Sequence, residues 1–186
     1  MPRKAAAVPS RVYQLKITLK DIKPPIWRRV EVADTITLAT LHTIIQAAMG
    51  WTDSHLHMFS VGRVAYGVPH PNDDEDVRDE RRFKLNDVLT APKQKLSYEY
   101  DFGDSWTHEV QLEKVLAPEP GVSYPRCTAG KRACPPEDCG GVWGYANFLE
   151  AISDPEHPEH EDLLDWIGGE FDPEAFDLAA VNAMWR

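Results

Sequence analysis

The chain has 186 residues, 42% of them hydrophobic, which is enough for one ordinary globular domain with its own core and cramped for two. No run of about eighteen apolar residues exists, which excludes a transmembrane helix, and residues 1–10 lack the apolar segment of a secretory signal, so the expected compartment is the cytoplasm. A net charge of −10 argues against a protein that coats nucleic acid through its overall field.

Met1 to Ser10, with small residues and two prolines, reads as a disordered basic lead. Val12, Leu15, Ile17 and Leu19 predict a strand. Lys23-Pro-Pro25 must turn the chain, because neither proline can donate to a ladder. Ile26 to Val32 predicts the returning strand. Thr37 then caps a helix whose apolar residues Leu38, Leu41, Ile44, Ile45, Ala48 and Met49 fall at helical spacing, with Gly50 ending it.

His55 to Val61 reads as a third strand, and Arg63 to Val68 as its hairpin partner across Gly62. Pro69 to Arg82 has too few apolar residues to bury and reads as a charged loop. Asn86 to Leu89 is one short helical turn. Leu96 to Phe102 and Trp106 to Leu116 pair as strands around Gly103-Asp-Ser105. Pro118 to Val142, rich in proline and glycine, is long for a structureless connection, so it is expected to be functional or pinned. Gly144 to Ile152, Glu159 to Ile167 and Pro173 to Met184 then predict three short helices packed on the sheet, the last with Asp172 as cap and Pro173 at its first position. This order predicts an α+β fold: a mixed or mainly antiparallel sheet with a crossing helix, a β-grasp-like ββαββ core, and a helical C-terminal part from about Gly144. A single domain is expected over residues 11–186.

Charge is uneven along the chain. Residues 1–32 carry eight Lys and Arg against Asp21 and Glu31, whereas eleven carboxylates follow from Glu150 with Arg186 as the only base. The plain reading is a solvated acidic face and a basic strand edge. Trp27 beside Arg28 and Arg29 also has the composition of a surface that stacks on a peptide or on unpaired bases. Trp51 and Trp106 are expected in the core, and Trp27 or Trp143 partly exposed.

The densest set of reactive side chains is Tyr98 to His108, which places Asp101, Asp104, Trp106 and His108 around a glycine turn. Pro135 to Gly141 adds Glu137, Asp138 and Cys139 on a second constrained loop, and the two loops are expected to meet as a site. His55, Asp104, His108, Glu137 and Asp138 supply imidazole and carboxylate ligands of the kind that suit zinc, manganese or iron. His55 and His57, two apart on a strand, would share a face and chelate together. Cys127, Cys134 and Cys139 are spaced C-x6-C-x4-C, unlike the close pairs of zinc knuckles, and read better as packed loop residues than as a metal set. Cys127, His108 and Asp104 are also the residue types of a nucleophile, base and orienting acid, with Ser105 as an alternative nucleophile. No nucleophile elbow or phosphate-cradling glycine loop surrounds them.

Four blocks carry a family resemblance: Ile26-Trp-Arg-Arg29; Met49-Gly-Trp51 with His55-Leu56; Tyr100-Asp-Phe-Gly-Asp104 with Trp106 and His108; and Pro135-Pro-Glu-Asp138 with Gly140-Gly141 and Gly144-Tyr145. In this order they resemble the plasmid pRiA4b ORF-3-like family over roughly residues 10–180. The family is also labelled as an insertion-element passenger with a resolvase-like name, although no serine-recombinase catalytic domain is recognisable in this sequence. The resemblance implies an α+β fold and a link with plasmids and mobile elements, and assigns no catalytic residue. The functional expectation is an accessory or binding module for a protein or nucleic-acid partner. The alternative is a metal-dependent hydrolase of a phosphoester or amide, with Asp104, His108, Glu137 and Asp138 as ligands or acid and base.

Overall fold

The structure, a computed structural model, describes residues 9–70 and 77–185. The expected N-terminal lead therefore falls almost wholly outside the described residues.

Strand β1 (Val12–Leu19) alternates buried and half-exposed side chains and pairs antiparallel with β2 (Trp27–Ala33). Helix α1 (Leu38–Met49) follows, with the Thr37 hydroxyl accepting from Thr40 N at its start and Gly50, at φ 97°, ending it in the left-handed conformation glycine favours. Strands β3 (His57–Val61) and β4 (Val64–Gly67) form a hairpin, and β5 (Arg78–Asp79) adds parallel to β4. After one 3-10 turn at Glu80–Arg82 and the single helical turn α2 (Leu85–Val88), β6 (Lys95–Tyr100) and β7 (Trp106–Leu116) form a second hairpin.

All eight strands make one mixed, mostly antiparallel open sheet in the order β5-β4-β3-β6-β7-β1-β2-β8. A β-grasp-like core is not the arrangement observed, since the neighbours of β1 are β2 and β7, both antiparallel. Helix α1 packs on the sheet. Leu38, Leu41 and Ile45 of α1 pack with Leu15, Ile17, Val30, Val110 and Leu112 in one apolar core, the main stabilising term in a domain of this size. The opposite sheet face is polar, with ion pairs such as Arg29–Glu113 at 2.6 Å and Lys95–Glu109 at 3.0 Å.

Several segments differ from the sequence-based expectation. Of the charged loop Pro69 to Arg82, residues 71–76 lie outside the described residues. The rest contains β5 and the 3-10 turn, and Glu80 is buried, its carboxylate compensated by His57 at 2.9 Å. The connection from Pro118 to Val142 holds an eighth strand, β8 (Arg126–Lys131), antiparallel to β2. Helix α3 (Gly141–Ser153) starts three residues early, and α4 (His160–Ile167) falls where expected. Helix α5 (Leu178–Ala183) is capped by Asp177, whose carboxylate accepts from Ala179 N and Ala180 N, while Asp172 instead accepts from Glu174 N in a preceding turn.

Both sheet edges are blunted, as edge strands in soluble proteins must be. On one side β5 has only two residues. On the other, the Asn182 side chain accepts from Cys127 N and donates to Cys127 O, both at 2.9 Å, and Ala133 N donates to Pro173 O, so the C-terminal segment straps the outside of β8. Gly130 lets the Phe176 ring approach there: a Cβ at that position would lie 2.4 Å from the ring and force it to move.

Candidate metal centre at a three-loop junction

Three loops converge beyond one end of β6. The first, residues 51–56, follows α1; the second is the Asp101–Ser105 turn between β6 and β7; the third is Pro135–Gly140 before α3. Each is pinned by a specific bond. Trp51 Nε1 donates to Pro135 O at 3.0 Å, Asp53 N donates to Gln46 Oε1 at 2.9 Å, and Gly140 N donates to the Asp104 carboxylate at 3.2 Å. Gly141 and Gly144 let the third loop close. A Cβ on Gly141 would sit 2.5 Å from Asp104 O, and one on Gly144 only 1.9 Å from Cys139 O.

Tyr100, at the end of β6, is the hub. Its hydroxyl accepts from Ser54 N at 3.0 Å and donates to Glu137. Glu137 also accepts from the Thr52 amide at 3.3 Å and the Thr52 hydroxyl at 2.5 Å. Burial alone would raise the Glu137 pKa, but the bonds from Thr52 and Tyr100 outweigh it and hold the carboxyl below its ordinary value. The same burial, with Glu137 beside it, pushes the Tyr100 phenol up, so the pair is a neutral phenol donating to a carboxylate.

At this junction His55 Nε2 lies 3.0 Å from Asp138 Oδ1 and 3.7 Å from Asp101 Oδ2. The nitrogen is closed to solvent and makes no hydrogen bond. Metal bonds of about 2.0–2.2 Å at tetrahedral angles set ligand atoms roughly 3.3 Å apart, which these two separations bracket. A backbone bond orients Asp101, whose Oδ1 accepts from Gly103 N at 2.9 Å, leaving Oδ2 toward His55. Asp101 and Asp138 both hold positive φ, 57° and 58°, which aspartate tolerates better than most residues.

The other sequence candidates fall elsewhere. Trp106 and His108 share a face, as strand alternation requires, but that face is the core: both are 0% exposed and pack with Trp51 and Tyr98 beneath the junction. His108 Nδ1 lies 3.3 Å from Tyr98 O, and burial lowers its pKa to about 4, so the ring is neutral. Asp104 and Glu137 are at the junction, with carboxylates engaged by Gly140, and by Thr52 and Tyr100, respectively. His55 precedes β3 rather than lying on it, so it does not chelate with His57. Cys127 is buried on β8 with its thiol donating to Ala129 O at 3.4 Å, and burial raises its pKa. Burial also raises Cys134, and pushes Cys139 up to about 12. None of the three thiols belongs to a group with ligand atoms close enough to share an ion among the described residues.

The Trp27–Arg29 block splits between faces. Arg28 is buried, donating to Ala48 O, Trp27 O and Lys131 O, with Phe176 over its guanidinium at 4.6 Å. Arg29 is held by both Glu113 oxygens and lies 5.2 Å from the Trp27 ring on the polar face. Trp27 is half-buried and Trp143 is 87% exposed.

A second group was not anticipated: His42, Asp53 and His57. His42 bonds Tyr98 Oη and Asp53 Oδ1, both at 2.8 Å, and its ring stacks on His57 with centroids 3.5 Å apart and planes 5° from parallel. Imidazole lone pairs lie in the ring plane, so two stacked parallel rings cannot both direct them at one ion. Burial, then the neighbouring His57, lowers the His42 pKa despite Asp53. This group is a polar network that runs from buried His42 out to exposed Asp53 and so fixes the loop carrying His55. Tyr100, the hub, was also missed. Its signal was present in the β6–β7 register, which sets Tyr98 opposite His108 and Tyr100 opposite Trp106.

Fold and junction define an open-sheet α+β domain with a His–Asp–Asp cluster where three loops meet. The family described as plasmid pRiA4b ORF-3-like protein matches residues 11–180, and the chain belongs to it. The uncharacterized protein y4hQ of Sinorhizobium fredii (strain NBRC 101917 / NGR234) is 40% identical over 173 residues, 92% of this chain and 89% of its own. The crystal structure of MM3350, a protein of unknown function from Methanosarcina mazei Go1, superposes with a TM-score of 0.84 at 44% sequence identity, covering 91% of this chain and 96% of that one. No helix among the described residues is long and apolar enough to cross a membrane.

Proposed function

We propose that the chain is a metal-dependent binding module, holding one divalent ion, zinc or manganese, through His55, Asp101 and Asp138. The observation that carries this reading is His55 Nε2, closed to solvent, without a hydrogen bond, and within 3.0 and 3.7 Å of two carboxylates on separate loops. One imidazole and two carboxylates suit those metals and leave a coordination position open for a ligand. The hydrolytic alternative has less support, because His108 is in the core and Glu137 is spent on Thr52 and Tyr100. A nucleic-acid partner is disfavoured by the burial of Arg28 and the pairing of Arg29 with Glu113. The plasmid reading frame in the family's name supports an association with plasmids and mobile elements as part of the same proposal.

Metal content and calorimetric titration of the untagged protein test it. The native chain should take up about one zinc or manganese ion, and the double variant Asp101→Asn, Asp138→Asn should not. Equal uptake by both proteins, or none by the native chain, would sink the reading.

A further inference from the structure

Asp138 faces two ways. Besides approaching His55, it lines a groove of about 340 Å³ between α3 and α4, whose other walls include Asn147, Phe148, Glu159, Leu163 and Trp166. The groove floor is Phe148, almost fully buried and braced edge-on by Trp166 at 5.8 Å and Phe171 at 5.2 Å. Trp166 remains 47% exposed on the wall. At the rim Asn147 donates to Glu159 at 3.1 Å. The groove thus combines an apolar floor with polar residues, and Asp138 is common to it and to the cluster. Its volume lies at the small end of ligand pockets, which run from about 300 to 1,000 Å³.

We infer that this groove receives the body of a small organic acid whose oxyanion head completes the coordination of the ion at His55, Asp101 and Asp138. The inference rests on the metal reading above. The body is aromatic or branched and apolar, because Phe148, Leu163 and Trp166 offer it stacking and burial. It carries no second negative charge, because Glu159 stands at the rim.

Two hydroxamates test the idea on the zinc-loaded native protein: acetohydroxamate, with a metal-binding head and a methyl group, and benzohydroxamate, with the same head and a phenyl ring. Benzohydroxamate should bind about tenfold more tightly or better, the gain expected from burying one ring. Trp166→Ala should reduce that preference to a few-fold and leave acetohydroxamate affinity and zinc stoichiometry unchanged. Asn147→Trp, which fills the groove from its exposed rim without touching the core, should do the same and guards against a folding defect in the first variant. Stoichiometric zinc with equal affinity for the two probes, or a preference that survives both variants, would overturn the groove assignment alone. Absence of zinc uptake would overturn the groove assignment and the metal reading together.

Discussion

The Tyr100 hydroxyl donates to Glu137, joining the last residue of β6 to the loop ahead of α3, while the same oxygen accepts from Ser54 N. One phenol therefore sets the spacing of the loops that carry His55 and Asp138. Tyr100→Phe keeps the ring against Trp51 but leaves Glu137 and Ser54 N without this partner. It should cost about 1–3 kcal/mol in urea denaturation and lower metal occupancy. If both quantities match the native protein, Tyr100 does not organise the junction.

His108 supplies a pH dependence with a definite sign. Buried in the core, it has a folded pKa depressed to about 4, whereas an unfolded imidazole titrates near 6.5. Its contribution is fully present above about pH 6.5, where both states are neutral. It is lost as pH falls toward about 4, because only the unfolded chain takes up the proton. The full loss is about 3 kcal/mol. His108→Leu should flatten stability against pH in that window by close to one proton, as read from urea midpoints at pH 7 and pH 4.5. An unaltered slope would show that other groups carry the acid sensitivity.

Gly144 lies where loop and helix cross most closely. Gly144→Ala places a methyl group 1.9 Å from Cys139 O, against backbone rather than a movable side chain. Alanine's better helix propensity recovers about 1 kcal/mol. The clash still leaves a net loss of about 2 kcal/mol, visible as a lower melting temperature. A variant as stable as the native chain would mean that α3 can slide at its first turn.

Asn182 holds the C-terminal strap through both backbone groups of Cys127. Asn182→Ala should lower stability by about 1–2 kcal/mol. It should also speed modification of Cys127 by a disulfide reagent, followed residue by residue by mass spectrometry, because burial is what protects that thiol. Unchanged labelling would show that the strap stays closed without this bond.

Legibility in the sequence followed the physics of each segment. The β1–β2 hairpin, α1 and the β6–β7 hairpin were readable because period, cap and turn residues agree within each. Strand β8 was not: its run Arg126-Cys-Thr-Ala-Gly-Lys131 lacks bulky β-branched residues and is held by pairing with β2 and by the strap. The start of α5 was misread because Asp172-Pro173 and Asp177 both make local cap-like bonds, and only the second leads a helix. At the junction, the meeting of the Asp101 turn with the Pro135 loop was legible from two constrained acidic loops. The choice of Asp101 over Asp104 beside His55 was not, for it depends on the αL backbone and the Gly103 bond that turn Asp101 Oδ2 inward.

The blunted sheet edges limit how such a protein can meet others. With β5 cut to two residues and β8 strapped by the C-terminal segment, neither margin offers, among the described residues, a long row of free amides and carbonyls for a visiting strand. Recognition by strand lending is therefore disfavoured at both described edges while the strap holds. Contacts through side chains and loop ends are the route left open, and the three-loop junction brings His55, Asp101 and Asp138 together there.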